Sequence, residues 1–177
     1  MEDYFLSVTY NSALDQETEF ISCHVDFNLI DIITDETTRI GSASLYILNT
    51  FLKESWQDIF EAADSISGDL HHIVHNLSET LENESDFLGL LAILDRIQIN
   101  EAYRGKGYGT KALTEIMKYL QVLRIDYLAL IPTPFEEKDE KKKQMGTERL
   151  VKFYEKFHLK VVKKIAESEL IMGRNLN

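Results

Sequence analysis

Residues 95–113, DRIQINEAYRGKGYGTKAL, constrain the fold more than any other stretch of the chain. The apolar run FLGLLAILDRIQI at 87–99 ends in alternation, Ile97 and Ile99 against Arg96 and Gln98, which is the pattern of a central strand. Soon after come Gly105, Gly107 and Gly109, three of the eight glycines, and from Thr110 onward Leu113, Ile116, Met117, Leu120 and Leu123 recur at helical spacing. A strand, a glycine-rich turn and an amphipathic helix in this order present successive backbone N–H groups at the positive end of a helix, where a phosphate is well held. Arg104 and Lys106 add full positive charge. A turn that only capped a helix would need one glycine rather than three.

Two phosphate-binding patterns fail, one on spacing and one on strand context. A P-loop requires Gly-Lys-Ser/Thr at the end of the loop, whereas Lys106 lies inside this one. Gly107, Gly109 and Ala112 satisfy a dinucleotide fingerprint, and Asp126 follows 19 residues after Gly107. Asp126, however, opens the strand segment IDYLALI instead of ending one, and no βαβ series surrounds it.

The rest of the chain alternates between sheet and helix signals without an internal repeat. FISCHVDFNLIDIIT at 20–34 and RIGSASLYIL at 39–48, separated by DETT, read as a β-hairpin. Between 53 and 82 the spacing turns helical. Trp56, Ile59, Phe60 and Ala63 share one face, and after Gly68 so do Leu70, Ile73, Val74, Leu77 and Leu81, giving two helices or one broken at Ser67-Gly68. IDYLALIP at 125–132 is a second buried strand stopped by proline. PTPFEEKDEKKKQMG at 132–146 reads as a charged surface loop, followed by a short helix from about Thr147 to Phe157 and two strands, LKVVKKI and SELIMG.

Arg104-Gly105-Lys106-Gly107-Tyr108-Gly109 matches Arg/Gln-x-x-Gly-x-Gly/Ala, and LVKFYEKFHL at 150–159 follows the next strand. In both the chain resembles the GNAT superfamily of N-acetyltransferases, most closely over residues 87–172. His158 and Leu159 stand where that family usually has Gly and Phe. The resemblance implies one α+β domain over 1–177, a mixed and largely antiparallel sheet of six or seven strands flanked by helices, with the segment at 53–82 a helical insertion before the central strand. It implies acetyl-CoA as cosubstrate without a metal. Ile97, Gln98 and Ile99 would pair through their backbone with the pantetheine arm. Arg104, Gly105, Lys106, Gly107, Tyr108, Gly109 and Thr110 would hold the pyrophosphate.

The implied reaction transfers acetyl directly from the thioester to a primary amine. It needs a neutral amine, a donor for the developing oxyanion, for which a strand N–H near Ile99 is the candidate, and a proton for the leaving thiolate. Tyr154 occupies the family's tyrosine position and is the candidate acid. Asp95 is the candidate base: on an ideal strand it shares a side with Ile97, and burial there would raise its pKa. His24 and Asp26 are weaker candidates, and a water relay is an alternative to any dedicated base. A non-catalytic acyl-CoA-binding or protein-interaction module on the same fold is the rival reading.

Other features bound the possibilities. His71, His75 and Glu79 share a helical row, yet the Glu of His-Glu-x-x-His is absent, so a polar helix face accounts for them better than a metal. The lone Cys23 excludes an intramolecular disulfide and reads as a small buried residue. The net charge of −11 divides into −17 over residues 1–103 and +6 over 104–177. This disfavours nucleic acid as a partner and favours a cationic acceptor, which Trp56, Phe60, Asp58, Glu61 and Asp64 of the insertion would border. No apolar run has the length of a membrane span, and MEDYFLSVTY lacks the basic start and cleavage site of a signal peptide, so a cytoplasmic location is expected.

Overall fold

The computed structural model describes residues 4–81, 89–134, 137, 139–166 and 169–177. The first two residues of the strand expected at 87–99, the first of that expected at 168–173, and positions 135, 136 and 138 of the charged stretch lie outside the described residues. Seven strands form one sheet: β1 (Tyr4–Leu14), β2 (Ile21–Asp31), β3 (Thr37–Asn49), β4 (Leu90–Ile99), β5 (Tyr127–Leu130), β6 (Lys160–Lys164) and β7 (Leu170–Asn175), in the order β1-β2-β3-β4-β5-β7-β6. Only β4 and β5 are parallel. The helices are α1 (Trp56–Ile66), α2 (Gly68–Leu81), α3 (Tyr108–Val122) and α4 (Glu140–Glu155). None of the helices among the described residues is long and apolar enough to cross a membrane.

The expected hairpin is present as β2 and β3, but a strand precedes it. β1 pairs with β2 from Tyr4–Asp31 to Leu14–Ile21. The sequence signal is weak because this edge strand is only half-buried on one face, where Leu6, Val8 and Tyr10 pack, while the other face mixes Phe5 and Ala13 with Ser7, Thr9 and Asn11. A tight turn joins the two: Asp15 Oδ1 accepts hydrogen bonds from the backbone N–H groups of Glu17 and Thr18 and from the Thr18 hydroxyl.

The insertion folds as two helices. Ser55 and Asp58 form a reciprocal capping box at the start of α1. Ser67 ends α1 with extended dihedrals, and its hydroxyl accepts from the Leu70 N–H to begin α2.

Each face of the sheet carries its own core. On one face α3 buries Ala112, Leu113, Ile116, Met117 and Leu120 against Val25, Phe27, Leu45, Ala92 and Leu128, and Tyr154 and Leu159 join them. On the other, Ile59 and Ala63 of α1 and Leu70, Ile73, Val74 and Leu77 of α2 cover Leu91, Ile93, Tyr127, Ala129 and Ile171. The paired parts of β4 and β5 are therefore buried on both sides, which explains their nearly unbroken apolar sequence.

One expectation fails in an instructive way. The stretch expected as loop to residue 146 becomes helix at Glu140, because Asp139 accepts from the Lys142 N–H at 3.0 Å as an N-cap and the lysines after it are good helix formers. The prolines only mark the end of the preceding strand. Gly146 lies inside α4 because a Cβ there would stand 2.8 Å from Pro134 Cγ.

β3 and β4 approach closely at Gly41, where a Cβ would meet the Gln98 carbonyl oxygen at 2.3 Å. Gly41→Ala is expected to destabilise the protein by about 1–3 kcal/mol in urea denaturation. Gly68→Ala, which places its methyl in open space, should leave the midpoint nearly unchanged.

Candidate active site

β4 and β5 pair only from Leu91–Tyr127 to Leu94–Leu130. Beyond that β5 ends, and Pro132 and Pro134 have no N–H with which to continue the ladder. β4 runs on to Ile99, held by β3 along its other edge. From residue 95 to 99, no strand among the described residues pairs with the edge of β4 that faced β5. The two strands thus open as a fork. α4 closes its far side, leaving a cleft of about 760 Å³ lined by Ile97, Gln98, Ile99 and Arg104 on one wall and by Thr133, Pro134 and residues of α4 on the other.

The glycine loop follows at the mouth of this cleft. Gly105 has φ 75° and Gly107 φ 82°, left-handed values that disfavour side chains. Nothing lies within 4 Å of a Cβ built at either position, so backbone conformation rather than crowding requires these two glycines. Gly107 immediately precedes α3 and supplies no side-chain cap. The first N–H groups of α3 therefore have no acceptor within the helix or from a capping side chain. Arg104 Nε donates to the Ile99 carbonyl at 2.8 Å, which fixes the guanidinium beside the strand end.

Of the residues expected to bind the cofactor, Ile97, Gln98, Ile99 and Arg104 line the cleft. Gly105 to Thr110 continue from it as the loop and first turn of α3. Lys142, Met145 and Arg149 of α4 also line it without being among the expected site residues; Lys142 and Met145 fall in the stretch expected as loop, Arg149 in the expected helix. The one local signal was the cap, Asp139 three residues before Lys142. Thr147, next to Gly146 on α4, is 3% exposed, and its buried hydroxyl has no hydrogen-bond partner among the described residues.

The catalytic candidates do not converge in the cleft. Tyr154 is 5% exposed within the α3-side core, and burial pushes the pKa of its phenol upward. It is not part of the cleft lining. Asp95 is not on the same side as Ile97. Ser44 pairs with Arg96 but Leu45 with Leu94, so Asp95 is the extra residue of a β-bulge. The bulge turns its carboxylate toward the α1–α2 side, where Ser44 Oγ donates to Asp95 Oδ2 at 3.0 Å. The neighbouring Tyr46 has its pKa raised, first by burial and second by the Asp95 charge.

The other candidates have structural partners. Asp26 pairs with Arg39 at 2.6 Å and lies 3.4 Å from His24. His71 and His75 pack against Phe60, and Glu79 pairs with Lys163. Among the described residues no three metal-ligating side chains converge. Trp56, Phe60, Asp58, Glu61 and Asp64 do not line the cleft, because α1 lies over the other face of the sheet. Asp58 is occupied in its capping box and Glu61 accepts from Gln57. Asp126, the residue at dinucleotide spacing, accepts from the Leu90 N–H at 2.7 Å and so fastens the closed end of the fork.

The departure at His158 is backbone-driven. This residue has φ 62° at the end of α4, the conformation glycine adopts most readily, and Leu159 behind it is 1% exposed in the core. His158→Gly is expected to raise stability by about 0.5–1 kcal/mol in thermal or urea unfolding.

No protein-family model matches the sequence, and the comparison with curated proteins gives no match. Solved structures do match. A mosquito arylalkylamine N-acetyltransferase like 5b aligns with TM-score 0.52 at 10% identity over 85% of this chain and 74% of its own. Arylalkylamine N-acetyltransferase 2 from Aedes aegypti aligns with TM-score 0.50 at 12% identity over 86% of this chain and 73% of its own. At such identities the likeness concerns architecture, and in architecture this chain has the GNAT fold.

Proposed function

We propose that the protein is an acyl-CoA-dependent N-acyltransferase that transfers acetyl to a primary amine. The observation that carries this reading is the fork: β4 runs on past the end of its ladder with β5 and leads directly to a glycine loop at a helix N-terminus. A ligand with amides along a thin arm and a pyrophosphate at its end fits that sequence of surfaces. The fold shared with the two mosquito N-acetyltransferases supports the reaction class, not the acceptor.

Each group has a task in this reading. The backbone of Ile97 to Ile99 pairs with the pantetheine amides as a further strand would. The N–H groups from Gly105 to Thr110, with Arg104 and Lys106, hold the pyrophosphate through aligned dipoles and charge. The bound thioester supplies the electrophilic carbonyl. A strand N–H near Ile99 stabilises the developing oxyanion and Tyr154 gives a proton to the departing thiolate; because Asp95 faces the α1–α2 side, bonded to Ser44, the amine's proton reaches it only through a water relay. The Tyr154 phenol is protonated at neutral pH, as a phenol ordinarily is, and burial pushes its pKa further up.

One observation favours the rival reading, an acyl-CoA-binding module without turnover: Tyr154 lies outside the cleft lining. Thiol release from acetyl-CoA with a panel of primary amines separates the two. Turnover with at least one amine is expected, and saturable binding with no turnover across the panel would favour the module. Tyr154→Phe should lower kcat about 100-fold while changing the coenzyme A dissociation constant little; an unchanged kcat would remove the phenol from the mechanism. Gly107→Val, forced into a left-handed φ, is expected to weaken coenzyme A binding at least about tenfold in calorimetry.

A further inference from the structure

We propose that two copies of the chain associate edge to edge along β1, antiparallel and centred on Thr9. The two ends of the sheet differ in a telling way. β6, the outer strand on one side, reads KVVKK and carries Lys160, Lys163 and Lys164. β1, the outer strand on the other, reads YFLSVTYNSAL. Its 11 residues include no charged side chain, no proline and no glycine. Lysine and proline are the usual means by which an exposed strand edge is kept from pairing, and β1 has neither. In a chain of net charge −11, an uncharged edge of this length lets two copies meet without placing like charges opposite each other along it.

The strand is complementary to itself in that register. Thr9 faces the partner's Thr9, Val8 faces Tyr10, Ser7 faces Asn11, Phe5 faces Ala13 and Tyr4 faces Leu14. Aromatic with β-branched, hydroxyl with hydroxyl, and apolar with apolar are the favourable cross-strand pairs. Only Leu6 opposite Ser12 is indifferent. Exposed apolar groups concentrate at the ends of the strand. Tyr4, Phe5 and Leu14 are 51%, 50% and 62% exposed, and Ile32 and Ile33 follow Asp31, the β2 partner of Tyr4.

A hollow marks where the partner's Leu14 belongs. Tyr4, Phe5, Leu6, Leu29, Tyr108 and Lys111 border a space of about 240 Å³. Tyr4 and Leu6 project to the α3 side of the sheet, and a side chain opposite Tyr4 in the proposed register projects to that side too. Each copy's Leu14 thus enters the hollow beside the other copy's Tyr108, a residue of the glycine loop. An extended peptide from another protein would find the backbone edge but not this matched set of side chains.

Sedimentation equilibrium on the full chain at tens of micromolar tests the dimer. The expected mass is twice 20.5 kDa. Thr9→Lys sets two ammonium groups opposite each other at the twofold axis and should raise the dimer dissociation constant about fivefold or more. Its circular dichroism should stay unchanged, because Thr9 is exposed in the monomer. Under mild oxidation Thr9→Cys should form an intermolecular disulfide, whereas Ser12→Cys, opposite Leu6, should not. A monomer throughout, including one that captures added peptides, overturns the proposal. So does a dimer insensitive to Thr9→Lys, or one in which Thr9→Cys fails to cross-link.

Discussion

The architecture depends on where the parallel pairing of β4 and β5 stops. Up to Leu94 and Leu130 the two strands are bonded and buried on both faces. After that point β3 continues to hold β4, with Asn100 N–H bonded to the Ile40 carbonyl at 2.8 Å, while Pro132 and Pro134 prevent β5 from following. The divergence of the two strands is supported by a fold anchored firmly on either side of the gap. Asp126 and Leu90 exchange two hydrogen bonds at the closed end, and α1 with α2 clamps the same strand pair from the face opposite α3.

The position of the two inserted helices follows from this requirement. Joined to β3 and β4, they cover Leu91, Ile93, Tyr127 and Ala129, the part of the sheet that must not loosen if the fork is to keep its width. Asp58 and Glu61 of α1 serve capping and surface contacts on the face away from the cleft. The cleft carries Arg96, Arg104, Lys142 and Arg149 against Glu137. Its electrostatics therefore match the phosphorylated cosubstrate better than a cationic acceptor.

Much of this was legible in residue order. The strand, glycine loop and helix at 90–122 are legible because each has a strong local cause: continuous burial at the start of β4, left-handed dihedrals at Gly105 and Gly107, and a single apolar stripe. β1 was not legible because an edge strand packs on one face only, and its pairing energy resides in a long-range register with β2. The start of α4 was hidden by its solvent-facing lysines, whose charge resembles that of a loop. Asp95 was misplaced for another reason. Alternation assumes an unbroken ladder, and one extra residue between Leu94 and Arg96 reverses which face a side chain occupies. A bulge is a property of the pair of strands, so neither strand's sequence announces it. His158 shows the converse, a non-glycine residue that accepts the left-handed conformation a helix end demands.

The central claim is that the open edge of β4 and the loop beyond it receive one continuous ligand. Backbone amide chemical shifts of the labelled protein, recorded as coenzyme A is titrated, test this most directly. The account predicts saturable shifts confined chiefly to residues 96–99, 104–110 and the facing part of α4 around 146–150. Saturable binding whose shifts lie elsewhere, or no shifts at millimolar coenzyme A, would contradict it.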